Sequence, residues 1–211
     1  YQHGTPARDP ERFVRFVKSV ERALAHERAQ VAIVARVGRP PATLPSGVQF
    51  THVGIAVYSS VLGDDGRRRN GYAFYNLYQH PSDGSRSRLV TDYAANFFAG
   101  VHALRAGVII PAPALQAAMF DLIRDGEYRA LHRPAYNVLA NPFDLRFQNC
   151  TEYVLDIVQS AIYATRDAAR IKRTLERYYR ATRIGVSSGR LQLASLVDAG
   201  VSVADQNGLP K

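Results

Sequence analysis

Two neighbouring β-prone runs constrain the fold of this chain more than any other feature. The runs "THVGIAVYSSV" (51–61) and "GYAFYNLYQ" (71–79) are rich in β-branched and aromatic residues, and the polar, arginine-rich segment "LGDDGRRRN" separates them. Two such runs on either side of a polar turn are typical of an antiparallel hairpin with a long loop. We therefore expect an antiparallel sheet built around these two strands.

The segment before the hairpin predicts a helix and a further strand. Residues 11–28 carry apolar side chains at helical spacing, with Asp9 as the N-cap and Pro10 in the first turn. The run "VAIVARV" (31–37) is short, continuously apolar and rich in valine, which is typical of a buried strand.

The segment after the hairpin predicts mainly helices. Helical spacing of apolar residues recurs over 115–131, 151–163 and 167–181, and the C-terminal part predicts a strand, a helix and a strand in "RIGVS", "RLQLASLV" and "GVSVADQ". This mixed order favours an α+β fold in which helices pack against an antiparallel sheet. We expect one domain over 1–211, with a flexible start over 1–10.

Composition limits the class of protein. A chain of 211 residues can bury a core without disulfides, and its one cysteine cannot form an internal bridge. No run of about twenty apolar residues is present, so no membrane-spanning segment is expected. The sequence begins at Tyr1 rather than Met, which is compatible with a removed signal or anchor segment. Localisation stays open, and a bacterial periplasmic or cell-envelope location is favoured if such a segment was removed.

The formal net charge of +9 is concentrated towards the C-terminus. Between residues 166 and 190, only Asp167 and Glu176 oppose the basic side chains of Arg166, Arg170, Lys172, Arg173, Arg177, Arg180, Arg183 and Arg190. A stripe of this kind can contact an anionic polymer, a membrane surface or nucleic acid. No nucleic-acid motif accompanies it, so nucleic acid is disfavoured as a partner and a solvated helix face is the simpler interpretation.

The only cysteine, Cys150, lies where a nucleophile could be activated. Asn149 can cap the helix that follows, so that Cys150 occupies the helix N-terminus. Unpaired backbone N–H groups and the positive end of the helix dipole stabilise a thiolate there and can bind an oxyanion. A buried free cysteine that acts as a small apolar side chain is the alternative, and position alone does not decide between them.

A cysteine nucleophile needs a base, and His52 is the best placed of the six histidines. It begins the first β-type run, where its ring can be held rigidly. A third group must then fix the tautomer of the imidazole, and the facing strand of the hairpin can supply it. Asn76 is the best placed candidate. Gln79 and His80 are the alternatives, because the loop length leaves the strand register open.

These residues resemble a known family pattern. "THVGIAVY" followed much later by "NCTEYV" is similar to the circularly permuted branch of the papain-like, NlpC-type cysteine hydrolases, which includes lecithin:retinol acyltransferase and the YaeF/YiiX-like amidases. The pattern is a histidine opening an "HxGI" strand, a polar residue on the next strand and "NC" at a helix start. The "QNC" helix, the "VAIVARVG" strand and the serine-rich C-terminal unit also resemble the bacterial family called domain of unknown function 2145, over roughly residues 11–206.

The resemblance implies a permuted papain-like fold and a mechanism. Cys150 would attack an amide or ester carbonyl, His52 would take and return the proton, and Asn76 would hold the ring. The backbone N–H of Cys150, with the side chain of Gln148 as a further candidate, would bind the oxyanion. The chain has Asn76 and "TEY" where the retinol-type acyltransferases have a second histidine and other residues, which puts lipid acyl transfer in doubt.

Other chemistries have weaker support in the sequence. "GVSSG" (185–189) fits a serine nucleophile elbow, but no histidine follows Ser187 in the chain, as that mechanism requires. No metal-ligand spacing, P-loop or G-x-G-x-x-G motif occurs, so neither a metal nor another cofactor is expected.

We therefore expect a thiol hydrolase, an amidase or peptidase that acts on bacterial envelope material. Its substrate would be a peptide, a peptidoglycan-like fragment or a lipid acyl group. The alternatives are a non-catalytic binding module on the same fold and a lipid acyltransferase.

Overall fold

The computed structural model of the protein describes residues 9–62, 65–182, 202 and 204, without the side chain at position 61. In these residues, five strands form one antiparallel sheet in the order β4-β3-β2-β1-β5. The strands are β1 Val31–Val37, β2 His52–Leu62, β3 Arg68–His80, β4 Asp83–Tyr93 and β5 Ala103–Ile109. The α-helices are α1 Pro10–His26, α2 Ala94–Phe98, α3 Pro113–Arg124, α4 Cys150–Tyr163 and α5 Ala168–Tyr178.

The expected α+β class is confirmed, and so is the antiparallel hairpin, now β2 and β3. The register of this hairpin runs from Ile55 opposite Tyr75 to Leu62 opposite Arg68. Its loop is shorter than predicted, because the arginine-rich end of "LGDDGRRRN" already belongs to β3. The strand over 31–37 and the helices near 11–28, 151–163 and 167–181 are also present, with small shifts at their ends.

The sheet is buried on both faces, which explains why β1 is continuously apolar. On one face, Val31, Ile55, Val57 and Leu77 pack against α3, α4 and α5 through the side chains of Met119, Leu122, Tyr153, Ile157, Ile171 and Leu175. On the other, Ala32, Val34, Ala56 and Phe74 pack against α1 and α2 through Val17, Val20, Leu24, Phe97 and Phe98. Because successive residues of a strand point to opposite faces, β1 needs apolar side chains at almost every position.

Local signals fix the ends of several helices. The Asp9 side chain accepts a hydrogen bond from the N–H of Arg12 at the start of α1. Asp167 does the same for Ala169 and Arg170 at the start of α5. Asn149 accepts from the N–H of Glu152, so that α4 begins at Cys150. Each of these side chains satisfies an N–H group that has no partner within its helix.

Two expectations about elements need correction, and one lies outside the described residues. The single helix expected over 115–131 ends at Arg124, and a 3-10 helix follows over Glu127–Leu131. Gly126 interrupts them with φ +76°, a left-handed conformation that glycine adopts without strain. The strands β4 and β5 were not predicted. The expected strand over 183–187, with Ser187, and the expected helix over 190–197 fall outside the described residues, as does the expected strand over 200–206 apart from positions 202 and 204.

Candidate functional site

His52 begins β2, and its ring is held from several sides. The ring stacks on Tyr78 with centroids 4.6 Å apart and planes 14° apart, and it contacts Phe97 at a centroid distance of 5.7 Å. Arg36, which is paired with His52 across the β1–β2 ladder, lies over the rings of Tyr78 and Phe97. These contacts leave the imidazole little freedom to rotate.

Asn76, on the neighbouring strand β3, fixes which nitrogen of His52 carries the proton. The Asn76 Oδ1 lies 3.2 Å from His52 Nε2. At its other end, the Asn76 Nδ2 donates to the Phe74 carbonyl oxygen at 3.0 Å and to Asp92 Oδ2 at 3.2 Å. Since both of these partners are acceptors, the NH2 group must lie at that end and Oδ1 must face the imidazole. Nε2 therefore carries the hydrogen, and Nδ1 keeps a free lone pair.

Gly54 makes room for this contact. Gly54 and Asn76 are the next positions beyond the Ile55–Tyr75 pair, and the Asn76 carboxamide crosses directly over Gly54. A Cβ atom at position 54 would lie 2.2 Å from Asn76 Oδ1 and 3.1 Å from the Tyr75 carbonyl oxygen. The "HxG" motif thus needs glycine at position 54 because the Asn76 side chain passes over this residue to reach His52.

His52 is neutral in this environment. Burial of the ring, together with the positive charge of Arg36, lowers the pKa of His52 from 6.5 to about 3, although the hydrogen bond to Asn76 acts in the opposite direction. A neutral imidazole with its hydrogen on Nε2 can accept a proton on Nδ1, which is the protonation state that a general base requires.

Cys150 lies at the first position of α4, next to the start of β2. Burial raises the pKa of the Cys150 thiol, and the backbone N–H of Val53 is the largest of the hydrogen-bonding effects that oppose this rise. The side chain and N–H of Thr151 also lower it. Val53 follows His52 in the chain, and the Cys150 thiol also affects the pKa of Tyr78, whose ring stacks on His52. No direct hydrogen bond joins the thiol and the imidazole in the part of the chain that the structure describes.

The other residues named from the sequence have different surroundings. The Gln79 side chain donates to the Gly84 carbonyl oxygen at 2.9 Å, across the β3–β4 turn, and His80 contacts Ser82 in the same turn. Gln148 is fully buried. Its side chain accepts from the Arg133 N–H at 2.9 Å and donates to Leu131 O and Asp156 Oδ2, both at 3.0 Å. These contacts hold the Gln148 carboxamide in the protein interior.

Four charged side chains form a cluster beneath the start of α4. Lys172 Nζ lies 2.5 Å from Glu152 Oε1 and 2.8 Å from Asp156 Oδ1, and Arg133 contacts both carboxylates. Burial raises the pKa of Glu152 from 4.5 to about 7, against the opposing charge of Lys172. The second oxygen of Glu152, Oε2, is buried without a hydrogen-bond partner among the described residues.

This cluster changes the interpretation of the basic stripe. Lys172 is buried and forms an ion pair with Glu152, and Arg166 forms an ion pair with Glu127. Arg183 and Arg190 lie outside the described residues. Besides Arg166, the exposed basic side chains of the stripe that the structure describes are those of Arg170, Arg173, Arg177 and Arg180.

Sequence reasoning gave neither Asp92 nor Tyr78 a role in the site. Asp92 lies on β4, a strand that was not predicted. Its carboxylate accepts from Asn76 and, at 2.7 Å, from the Tyr78 hydroxyl. Asn76 and Tyr78 are two residues apart on one strand, and this spacing was the signal in the sequence that their side chains share a face of the sheet.

Two further properties of the described residues bear on the kind of protein. Within these residues, no group of three or more histidine, cysteine, aspartate or glutamate side chains is arranged to hold a metal ion. None of the described helices is both long enough and apolar enough to cross a membrane.

The fold and the site define an α+β protein with helices on both faces of a five-stranded antiparallel sheet, and with a histidine and an asparagine tethered beside the start of a cysteine-bearing helix. The chain belongs to a family of uncharacterized proteins conserved in bacteria (DUF2145), whose model matches residues 23–209. No curated protein and no solved structure matches it. The expected membership in this family is confirmed, whereas the wider likeness to NlpC-type hydrolases stays a prediction.

Proposed function

We propose that this protein is a cysteine hydrolase in which Cys150 attacks an amide or ester carbonyl and His52 acts as the base. One observation carries the proposal: the His52 imidazole is tethered through Nε2 to Asn76. The other ring nitrogen, Nδ1, keeps a free lone pair. Val53 is the next residue of β2 after His52, and its backbone N–H interacts with the Cys150 thiol. A tethered ring of fixed tautomer next to a thiol at a helix N-terminus has the parts that thiol hydrolysis needs.

The reaction would begin from a neutral thiol and a neutral imidazole, because burial raises the pKa of Cys150 and lowers that of His52. As the sulfur bonds to the carbonyl carbon, the thiol proton passes to Nδ1 of His52. The imidazolium then gives this proton to the leaving amine or alcohol, and a thioester remains on Cys150. Water attacks the thioester while the same nitrogen takes its proton. The C–S bond then breaks, the acid is released, and the imidazolium returns the proton to the Cys150 sulfur.

The negative charge on the carbonyl oxygen needs donors in this scheme. The N–H groups of Cys150 and Thr151 are in the first turn of α4 and have no partner within the helix. They are better placed for the oxyanion than the Gln148 side chain, whose amide and carbonyl are both used in the interior. The dipole of a 14-residue helix adds to the stabilisation.

The substrate class rests on the resemblance to permuted papain-like hydrolases. It favours an amidase or peptidase of bacterial envelope material, with acyl transfer to an amine or alcohol as a variant. The exposed arginines of α5 would suit an anionic polymer or a membrane surface. A peptidoglycan digest and a short-chain ester are therefore the substrates with which to begin.

The test compares wild-type protein with C150A and H52Q on both substrates. We expect turnover by the wild-type protein, none above background by C150A, and a loss of about 100-fold or more in kcat/KM for H52Q. Adding a primary amine compares transfer with hydrolysis, because a transferase partitions the thioester towards the amine more strongly than a hydrolase does. Equal activity of C150A and wild-type protein would refute the proposal.

A non-catalytic binding module is the second candidate. The observation that favours it is the absence of a direct thiol–imidazole hydrogen bond in the described residues, together with the raised pKa of the thiol. In that case peptidoglycan fragments would bind equally well to wild-type protein and C150A, and neither would release product.

A further inference from the structure

Asp92 is a buried acidic residue on β4. It is 7% exposed, and no ion pair balances its charge in the described residues. Burying a carboxylate without a cation is costly unless hydrogen bonds compensate for the lost water. Two donors supply this compensation, the Asn76 Nδ2 at 3.2 Å and the Tyr78 hydroxyl at 2.7 Å, and both reach the same oxygen, Oδ2.

Both donors belong to the surroundings of His52. Asn76 contacts the ring through its other end, and the Tyr78 ring stacks on the imidazole. Burial raises the pKa of Tyr78, and the charge of Asp92 and its hydrogen bond add to this effect, so the hydroxyl keeps its proton and donates. The carboxylate of Asp92 can only accept. It therefore orients two of the side chains that touch the histidine, Asn76 and Tyr78.

The orientation of Asn76 matters because a carboxamide has a donor end and an acceptor end of nearly the same shape. If the group turned over, the NH2 would face His52 Nε2 and the oxygen would face Phe74 O and Asp92 Oδ2. His52 Nε2 would then have to accept, and its hydrogen would move to Nδ1. In that tautomer the nitrogen that faces away from Asn76 could no longer take a proton from a thiol.

We propose that Asp92 is a positioning residue, which holds the Asn76 carboxamide in one orientation and thereby keeps the His52 hydrogen on Nε2. The inference rests on the proposed function of His52 as a base, and it adds a group that acts through Asn76 rather than on the substrate. The site then consists of a thiol, an imidazole, a carboxamide and a carboxylate in series.

The test reads the tautomer of His52 directly. Long-range ¹H–¹⁵N spectra of the ring distinguish a protonated from an unprotonated nitrogen. Wild-type protein should show hydrogen on Nε2. In D92N the new amide can present either end to Asn76, so a mixture of tautomers is expected, with kcat/KM lowered by about 10- to 100-fold and partial rescue in D92E. Y78F removes the other donor to Asp92 but keeps the ring, and its His52 should retain the hydrogen on Nε2.

Two results separate this inference from the proposed function. A D92N protein whose His52 keeps its hydrogen wholly on Nε2 would overturn the role of Asp92, even if C150A is inactive. A switched tautomer in D92N would support the role of Asp92 even if no substrate is turned over. Should D92N fail to fold, acid titration of the wild-type protein replaces it. The Asn76 amide signals must then shift together with the Asp92 carboxyl signal, and amide signals that do not move would overturn the proposal.

Discussion

Replacing Gly54 with alanine should destabilise the protein by disturbing the contact between Asn76 and His52. The added Cβ would lie 2.2 Å from Asn76 Oδ1, so the carboxamide has to move. The Tyr75 carbonyl oxygen, 3.1 Å away, limits relief by a shift of the backbone. Because β2 and β3 are central strands of the sheet, neither can move freely.

The size of the effect follows from these contacts. Overpacking a well-packed interior costs about 1–3 kcal/mol. Displacing Asn76 also weakens its three hydrogen bonds, each with a net value of about 1 kcal/mol. Alanine has less conformational entropy than glycine in the unfolded chain, and this difference stabilises the folded protein by about 0.4–1 kcal/mol. We expect a net loss of roughly 2–4 kcal/mol in the free energy of unfolding.

A double-mutant cycle, measured by urea unfolding, tests whether the contact with Asn76 causes the loss of stability in G54A. G54A is measured in the wild-type background and again in N76A, where the atom at 2.2 Å is gone. The cost of G54A should fall by roughly 1–3 kcal/mol in the N76A background. An equal cost in both backgrounds, or a G54A protein as stable as wild type, would refute the argument that Gly54 makes room for Asn76.

Three further predictions concern the charged groups. Because burial raises the pKa of Cys150 and His52 is neutral, iodoacetamide should alkylate Cys150 with a midpoint above the reference value of about 8.5; a reaction already at its plateau below pH 7 would contradict this. Since the pKa of Glu152 is raised from 4.5 to about 7, the folded protein binds this proton more tightly than the unfolded chain. The contribution of Glu152 to stability should therefore fall from about pH 4.5 to about pH 7 by up to roughly 3 kcal/mol, while the lowered pKa of His52 acts in the opposite direction. The difference in stability between wild-type protein and E152Q, which cancels the His52 contribution, should change by this amount in urea titrations at each pH; parallel pH profiles would contradict it. K172M leaves two buried carboxylates with Arg133 alone and should cost about 3–5 kcal/mol in thermal unfolding, whereas the control R173M, exposed on the same helix, should change stability by less than about 0.5 kcal/mol; equal effects of the two would show that the cluster is not stabilising.

Features with a strong local signal could be predicted from the sequence. The capping side chains Asp9 and Asn149 mark the starts of α1 and α4, and the apolar run over 31–37 gives the bounds of β1. The β2–β3 hairpin follows from its composition. These signals are sufficient to place Cys150 at a helix start and His52 at a strand start.

Features that depend on distant contacts could not be predicted in this way. The sequence of β4, "DGSRSRLVTDY", is polar because the strand lies at the sheet edge, where charged residues prevent pairing with other chains. Without β4, the role of Asp92 cannot be seen. The direction of the Gln148 side chain is set by Leu131 and Arg133, which lie 15 or more residues earlier in the chain.

The most direct test of the central claim is a mass spectrum of the intact protein after brief incubation with an activated ester. The proposed mechanism predicts one acyl group on Cys150 of the wild-type protein. It also predicts acylation slower by about 100-fold or more in H52Q, because this variant lacks a base for the thiol proton. If Cys150 acquires the acyl group equally fast in H52Q and in the wild-type protein, or does not acquire it at all, then Cys150 and His52 do not work together and the proposed hydrolase mechanism is wrong.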